Sequence, residues 1–199
     1  MQAAFKRELV SVDDYLAGEE GSEVKHEYLG GVVYAMAGTS KEHNRIAQNI
    51  AFAARPSLKG KPCEVFISDV KVRLKALGDD VFYYPDVMVA CDPRDTHRLF
   101  SRYPKLLVEV SSPSTQRLDR REKRWSYQTI ETLEEYVIAA QDRIEVTVFR
   151  RANNWKPEVF NRLENTVKLK SIGLALKVSS IYEGVMTSRR PARTPRAEA

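Results

Sequence analysis

Two runs of strand-forming residues constrain this chain more than anything else in it. Val81–Ala90 reads Val-Phe-Tyr-Tyr-Pro-Asp-Val-Met-Val-Ala, and Lys105–Ser111 reads Lys-Leu-Leu-Val-Glu-Val-Ser. Each is apolar enough to be an interior strand, and each carries a single acid, Asp86 or Glu109. Aspartate and glutamate are almost never fully buried unless paired or bound to a cation, because an isolated carboxylate in an apolar medium is very costly. The fold must therefore give each acid water, a counter-charge or a metal ion. A strand with one solvated face would satisfy either acid with no function attached.

The remaining elements fall into order around these runs. A short helix opens at Ser11, with a serine cap and the carboxylates Asp13 and Asp14 in its first turn. Val24–Leu29, the pair Gly30-Gly31 and Val32–Ala37 form a hairpin signal. Thr39 with Glu42 makes a capping-box pattern, and the helix it opens carries Ile46, Ala47, Ile50, Ala51 and Ala54 on one stripe before ending near Pro56–Gly60. Strands are expected at Glu64–Leu74, Val81–Ala90 and Lys105–Ser111. A charged helix follows from Ser112 to about Ile130, then strands at Tyr136–Ala140 and Arg143–Phe149 joined at Gln141-Asp142. Weaker strand signals lie at Trp155–Asn161 and Thr166–Lys170, and a short helix at Ser179–Val185. The central order is helix, strand, strand, strand, helix, strand. Short turns predict an antiparallel meander for the first three strands. The helical crossover predicts a parallel, right-handed connection to the fourth, so the class is α/β with a mixed sheet.

A turn centred between Leu77 and Gly78 sets Leu74 opposite Val81 and, if the register continues, Asp69 opposite Asp86. Like charges directly opposite are destabilising, so that arrangement asks for a cation, although a slip of one residue would put the acids on opposite faces. Oxygen donors from Asp69, Asp86 and Glu109, with no cysteine beside them, suit Mg²⁺ or Mn²⁺ better than zinc. Such an ion lowers the pKa of a bound water and stabilises charge on phosphoryl oxygens, which fits phosphodiester hydrolysis.

Composition excludes several classes. With 43% hydrophobic and 30% charged residues over 199 positions, the chain is neither wholly disordered nor fibrous. One domain over residues 1–187 is expected, followed by a disordered basic tail at 188–199. The net charge of +5 permits a polyanionic partner without demanding one. Met1–Tyr15 holds no apolar core, so no signal peptide is expected, and no run of roughly 18 apolar residues suggests a membrane span. Cys63 and Cys91 lack CxxC spacing, and the expectation is two buried, reduced thiols in a cytoplasmic protein, without a zinc site or a disulfide.

At these residues the sequence resembles the PD-(D/E)XK nuclease superfamily, the restriction-endonuclease-like fold, and more narrowly the Uma-two family. The matching pieces are Lys25-His-Glu-Tyr-Leu-Gly-Gly, His43-Asn-Arg-Ile-Ala, Ser68-Asp-Val-Lys-Val-Arg-Leu and Tyr84-Pro-Asp-Val-Met-Val. They continue with Leu107-Val-Glu-Val-Ser-Ser-Pro-Ser-Thr, Asp119-Arg-Arg-Glu-Lys-Arg-Trp-Ser-Tyr and Glu134-Glu-Tyr-Val-Ile. The resemblance implies a mixed β-sheet flanked by helices, with the N-terminal hairpin and C-terminal strands added to the core. It makes Asp86 the first motif acid and Glu109 the second. The motif lysine belongs two residues after Glu109, where this chain has Ser111. Lys123 in the following helix is the candidate replacement. Asp119, Lys123 and Tyr127, spaced four apart, share one helix face, although Asp119 with Lys123 is also an ordinary stabilising helix pair. His43, in the first turn of its helix, and Glu27, in the hairpin, are further site candidates.

The resulting expectation is a cytoplasmic, Mg²⁺- or Mn²⁺-dependent endonuclease acting on DNA. Asp86, Glu109 and Asp69 would bind the metal, and Lys123 and His43 would assist, without an organic cofactor. A homodimer is compatible with cutting two strands. Two alternatives stand beside it. One is an inactive nuclease scaffold that binds nucleic acid or a protein partner, to which Ser111 points. The other is a structural domain whose acids are solvated.

Overall fold

The computed structural model describes residues 9–111 and 122–185. The expected basic tail and most of the charged helix after Ser112 lie outside these residues. Ser11 caps α1 (Val12–Glu20) through its hydroxyl, which accepts from the Asp14 N–H. β1 (His26–Leu29) and β2 (Val32–Ala35) form the expected hairpin. Gly30 and Gly31, at φ of +55° and +93°, supply a turn that other residues adopt only under strain. The long helix is α2 (Lys41–Ser57), and its cap is Ser40 rather than Thr39, since the Ser40 hydroxyl accepts from the His43 N–H.

The strands Glu64–Leu74 and Val81–Ala90 each divide in two. β3 (Glu64–Ile67) and β6 (Val87–Ala90) belong to one sheet, while β4 (Lys71–Ala76) and β5 (Asp79–Tyr83) belong to another. The breaks fall at Ser68, which takes a φ of +56°, and at Tyr84-Pro85-Asp86, where the proline has no N–H for a ladder. The chain goes on through β7 (Phe100–Ser101), β8 (Pro104–Ser111), α3 (Arg124–Gln128), β9 (Glu135–Ala140) and β10 (Val146–Arg150). It ends with β11 (Pro157–Phe160), β12 (Thr166–Leu169), β13 (Leu174–Lys177) and α4 (Val178–Ile181).

Six strands form a mixed sheet in the order β11-β10-β9-β8-β6-β3. β6 runs antiparallel to β3 and β8, and β9 runs parallel to β8, as the crossover argument required. A second sheet has the order β2-β1-β5-β4-β7. Alternation along β8 divides the core. Leu106, Val108 and Val110 pack with the apolar stripe of α2 and with the β12–β13 hairpin. Leu107 meets Val72, Leu74 and Tyr83 of the second sheet together with Tyr127. One face of the large sheet is thus covered by a helix. The other is covered mainly by the β4–β5 hairpin, with α3 at its side. This is the mixed α/β class expected, and no helix of the described residues is long and apolar enough to cross a membrane.

Two expectations are overturned. Leu74 does pair with Val81, but beyond the break Ile67 faces Val87, where an unbroken register would have set it against Met88. The slip of one residue places Ser68 beside Asp86, the Ser68 N–H donating to the Asp86 carbonyl at 3.2 Å, so Asp69 does not face Asp86. The cysteines are not reduced thiols. Cys63 and Cys91 form a disulfide with a Cα–Cα distance of 4.1 Å. Glu64 pairs with Ala90, so the residues one step further out come face to face, a relation that exists only once β3 and β6 are neighbours. Disulfides persist in oxidising surroundings, so the cysteines lend no support to the expected cytoplasmic location.

Candidate active site

The site gathers where the second sheet bends away from the first. Asp86 immediately precedes β6, and the register that pairs Val87 with Val108, extended by one residue, sets it across from Glu109. Both carboxylates therefore belong to the same sheet face by alternation. Asp86 Oδ2 accepts from the Val110 N–H at 2.6 Å and lies 3.3 Å from His43 Nε2. The Ser40 cap holds the turn of α2 that carries His43.

Glu109 lies deeper, its side chain 6% exposed. Its Oε1 accepts a hydrogen bond from the Tyr127 hydroxyl at 2.7 Å and another from Lys123 Nζ at 3.3 Å. Lys123 stands in the turn leading into α3, and its Nζ is also 2.9 Å from Glu27 Oε1 on β1. That second approach is a charge contact without the alignment of a hydrogen bond. The ammonium further lies over the Tyr83 ring, 5.1 Å from its centre. Burial, followed by the charge of Glu109, pushes the Tyr127 hydroxyl well above its ordinary pKa, so it remains a donor at neutral pH.

The structure thus brings together five of the residues singled out in the sequence: Asp86, Glu109, Lys123, His43 and Glu27. Ser111 is fully buried two residues along β8, and its hydroxyl has no hydrogen-bond partner among the described residues. Asp119 lies outside the described residues. Asp69 is placed elsewhere. Its side chain is 79% exposed and ion-paired with Lys25, a consequence of the register slip at Ser68. Among the described residues, no three His, Cys, Asp or Glu side chains gather closely enough to hold a metal by themselves. Two elements of the site were not legible beforehand. The sequence puts Tyr127 on the helix face of Lys123 but gives it no role, and its capping-box pattern points to Thr39, whereas Ser40 makes the cap.

Three carboxylates, Asp86, Glu109 and Glu27, face one lysine and one histidine, so the cluster carries an excess of acid among its named members. Mg²⁺ commonly takes only one or two protein carboxylates and leaves its other positions to water and phosphate oxygens. The pair Asp86 and Glu109 fits that requirement.

The mixed sheet, the hairpin folded across it and the acids at their junction define a restriction-endonuclease-like fold. A crystal structure described as a putative nuclease belonging to DUF820 from Anabaena variabilis matches with a TM-score of 0.72 at 18% identity, covering 87% of this chain and 97% of that one. Residues 12–179 match the Uma2 family, described as "Putative restriction endonuclease", and the chain belongs to that family. The uncharacterized protein slr1290 of Synechocystis is 35% identical over 178 residues, covering 88% of this chain and 93% of its own length. A second uncharacterized Synechocystis protein, sll1609, is 31% identical over 144 residues, covering 71% of this chain and 80% of its own length.

Proposed function

We propose that the chain is a metal-dependent endonuclease that hydrolyses phosphodiester bonds in DNA. The observation that carries this reading is the convergence of Asp86, opposite Glu109 in register, with Lys123 3.3 Å from Glu109. Asp86 and Glu109 would hold Mg²⁺ or Mn²⁺, which when bound supplies positive charge to the phosphoryl oxygens and acidifies water. Lys123 Nζ offsets negative charge that develops on the phosphate, as a donor aimed into a water-poor site does. His43 Nε2 faces Asp86 Oδ2 at 3.3 Å and so carries the ring proton there, which leaves Nδ1 of neutral His43 as the nitrogen that would accept one. Attack by water forms the new P–O bond as the bond to the leaving oxygen breaks, and no covalent enzyme intermediate is required.

The test is incubation of the purified chain with plasmid and with short single-stranded DNA, in Mg²⁺, in Mn²⁺ and in chelator. Asp86→Ala and Lys123→Ala are purified in parallel to control for contaminating nuclease. The expected result is metal-dependent cutting that both variants lose while they still bind DNA. A second reading, an inactive scaffold that binds nucleic acid or a protein partner, is favoured by Ser111 at the position of the motif lysine. Binding without cutting in either metal would establish it. A homodimer would present two such sites to the two strands, and sedimentation of the chain with and without duplex DNA reads its assembly.

A further inference from the structure

We propose that Tyr127 is a positioning residue of this site: its hydroxyl sets the orientation of the Glu109 carboxylate for cation binding and keeps Lys123 shared between Glu109 and Glu27. The proposal rests on the metal-dependent reading above. Tyr127 is fully buried, and its ring is held edge-on between Tyr83 and Tyr136, with centroids 5.5 Å and 5.2 Å away and interplanar angles of 82° and 70°. A ring packed this way cannot swing, so the hydroxyl is aimed by the core and not by solvent.

The two described hydrogen bonds to Glu109 fall on the same oxygen, and the phenol makes the shorter one, 2.7 Å against 3.3 Å for the lysine. A carboxylate fixed at one oxygen has the plane of its other oxygen fixed too. Lys123 approaches Glu27 more closely, at 2.9 Å, than Glu109. The phenol thus takes one lone-pair site of Oε1 at short range, and the ammonium shares the same oxygen only at longer range. Removing the hydroxyl alone would let Lys123 collapse onto Glu109 and neutralise the acid that the cation needs. Groups that orient metal-binding carboxylates in this way typically change metal affinity or activity by ~10–100-fold when removed.

Tyr127→Phe keeps the ring and its packing. Mn²⁺ binding is measured calorimetrically without DNA for the native chain, Tyr127→Phe and Tyr182→Phe, with thermal melts to verify folding. Tyr182 is another buried tyrosine, whose hydroxyl donates to the Ala140 and Glu145 carbonyls away from this cluster. Tyr127→Phe is expected to bind Mn²⁺ ~10–100-fold more weakly and to lose kcat with KM for DNA unchanged. Tyr182→Phe is expected to match the native chain. If Tyr127→Phe binds Mn²⁺ and cleaves as the native chain does, the positioning role is wrong and the nuclease reading stands. If the native chain itself takes up no Mn²⁺, both fall.

Discussion

Glu109 and Glu135 are buried acids on neighbouring parallel strands, β8 and β9, and they are treated in opposite ways. Glu135 Oε1 accepts from Arg150 Nε at 2.7 Å and from the Lys170 N–H at 3.2 Å, while its Oε2 accepts from the N–H and the hydroxyl of Ser171. Arg150 is directly opposite in the ladder and is itself engaged by Glu158 and the Lys168 carbonyl. Backbone donors that cannot move surround this acid, and its charge is matched. The described donors to Glu109 are two side chains, and two further carboxylates stand in the same cluster. A buried acid whose oxygens are filled by backbone N–H groups and an arginine is a fastening, here of the segment after β12 onto β9 and β10. One whose described donors are side chains, with two further acids beside it, is the kind of group that the proposed cation would use.

The sharpest way to break this contrast is to neutralise one acid and unpair the other. Glu109→Gln is expected to lower the proposed cleavage by on the order of 10³-fold while leaving the urea midpoint almost unmoved, because it relieves acid crowding as it removes a partner of Lys123. Arg150→Met should do the reverse. It leaves Glu135 charged and buried, at a cost of roughly 3 kcal/mol or more in chemical denaturation, with cleavage per folded molecule unchanged. Equal loss of activity in both variants would mean that the two clusters are not functionally distinct.

A smaller effect separates stability from chemistry within β6 itself. Asp86 precedes that strand, whereas Cys91 follows it and is bridged to Cys63 across a sequence separation of 28 residues. Cys63→Ser with Cys91→Ser should cost about 2–3 kcal/mol by freeing the unfolded chain and leave the cleavage rate intact, since the staple lies at the end of the strand away from the acid.

The smallest expected change is alkaline. Burial pushes the Tyr182 hydroxyl up to about 12, and Tyr127 is raised by the same cause. Below the ordinary tyrosine value of 10.0, both are protonated whether the chain is folded or not, and their contribution is fully present. Above it the unfolded state releases protons that the folded state retains, so stability falls as pH rises from 10 toward 12. Urea midpoints across this range should decline, and Tyr182→Phe should flatten part of the decline. An unchanged slope would remove Tyr182 from the alkaline transition.

Much of the fold was legible because it is local. Gly30-Gly31 and Leu77-Gly78 announced their hairpins, and the turn at Gly78 set Leu74 against Val81 as observed. The apolar stripe of α2 identified its buried face, and the helical crossover required β9 to run parallel to β8. β13 was missed because Leu-Ala-Leu-Lys is short and built largely from helix-favouring residues, and it becomes a strand only by pairing with β12. Asp69 was misplaced because the break at Ser68 is a property of two sheets meeting, which neither strand's pattern encodes.

The amino-acid order alone determined which acids interrupt apolar strands and that Lys123 and Tyr127 stand one helical turn apart. It also determined that the motif lysine's position holds Ser111. Only the tertiary structure decided which of these groups meet: Glu109 rather than Asp69 across from Asp86, Lys123 between two glutamates, and Cys63 against Cys91. The physical reason is that side chains alternate from one sheet face to the other. A slip of one residue, made where the chain passes between sheets, therefore changes every partner beyond it while leaving each strand's own pattern intact.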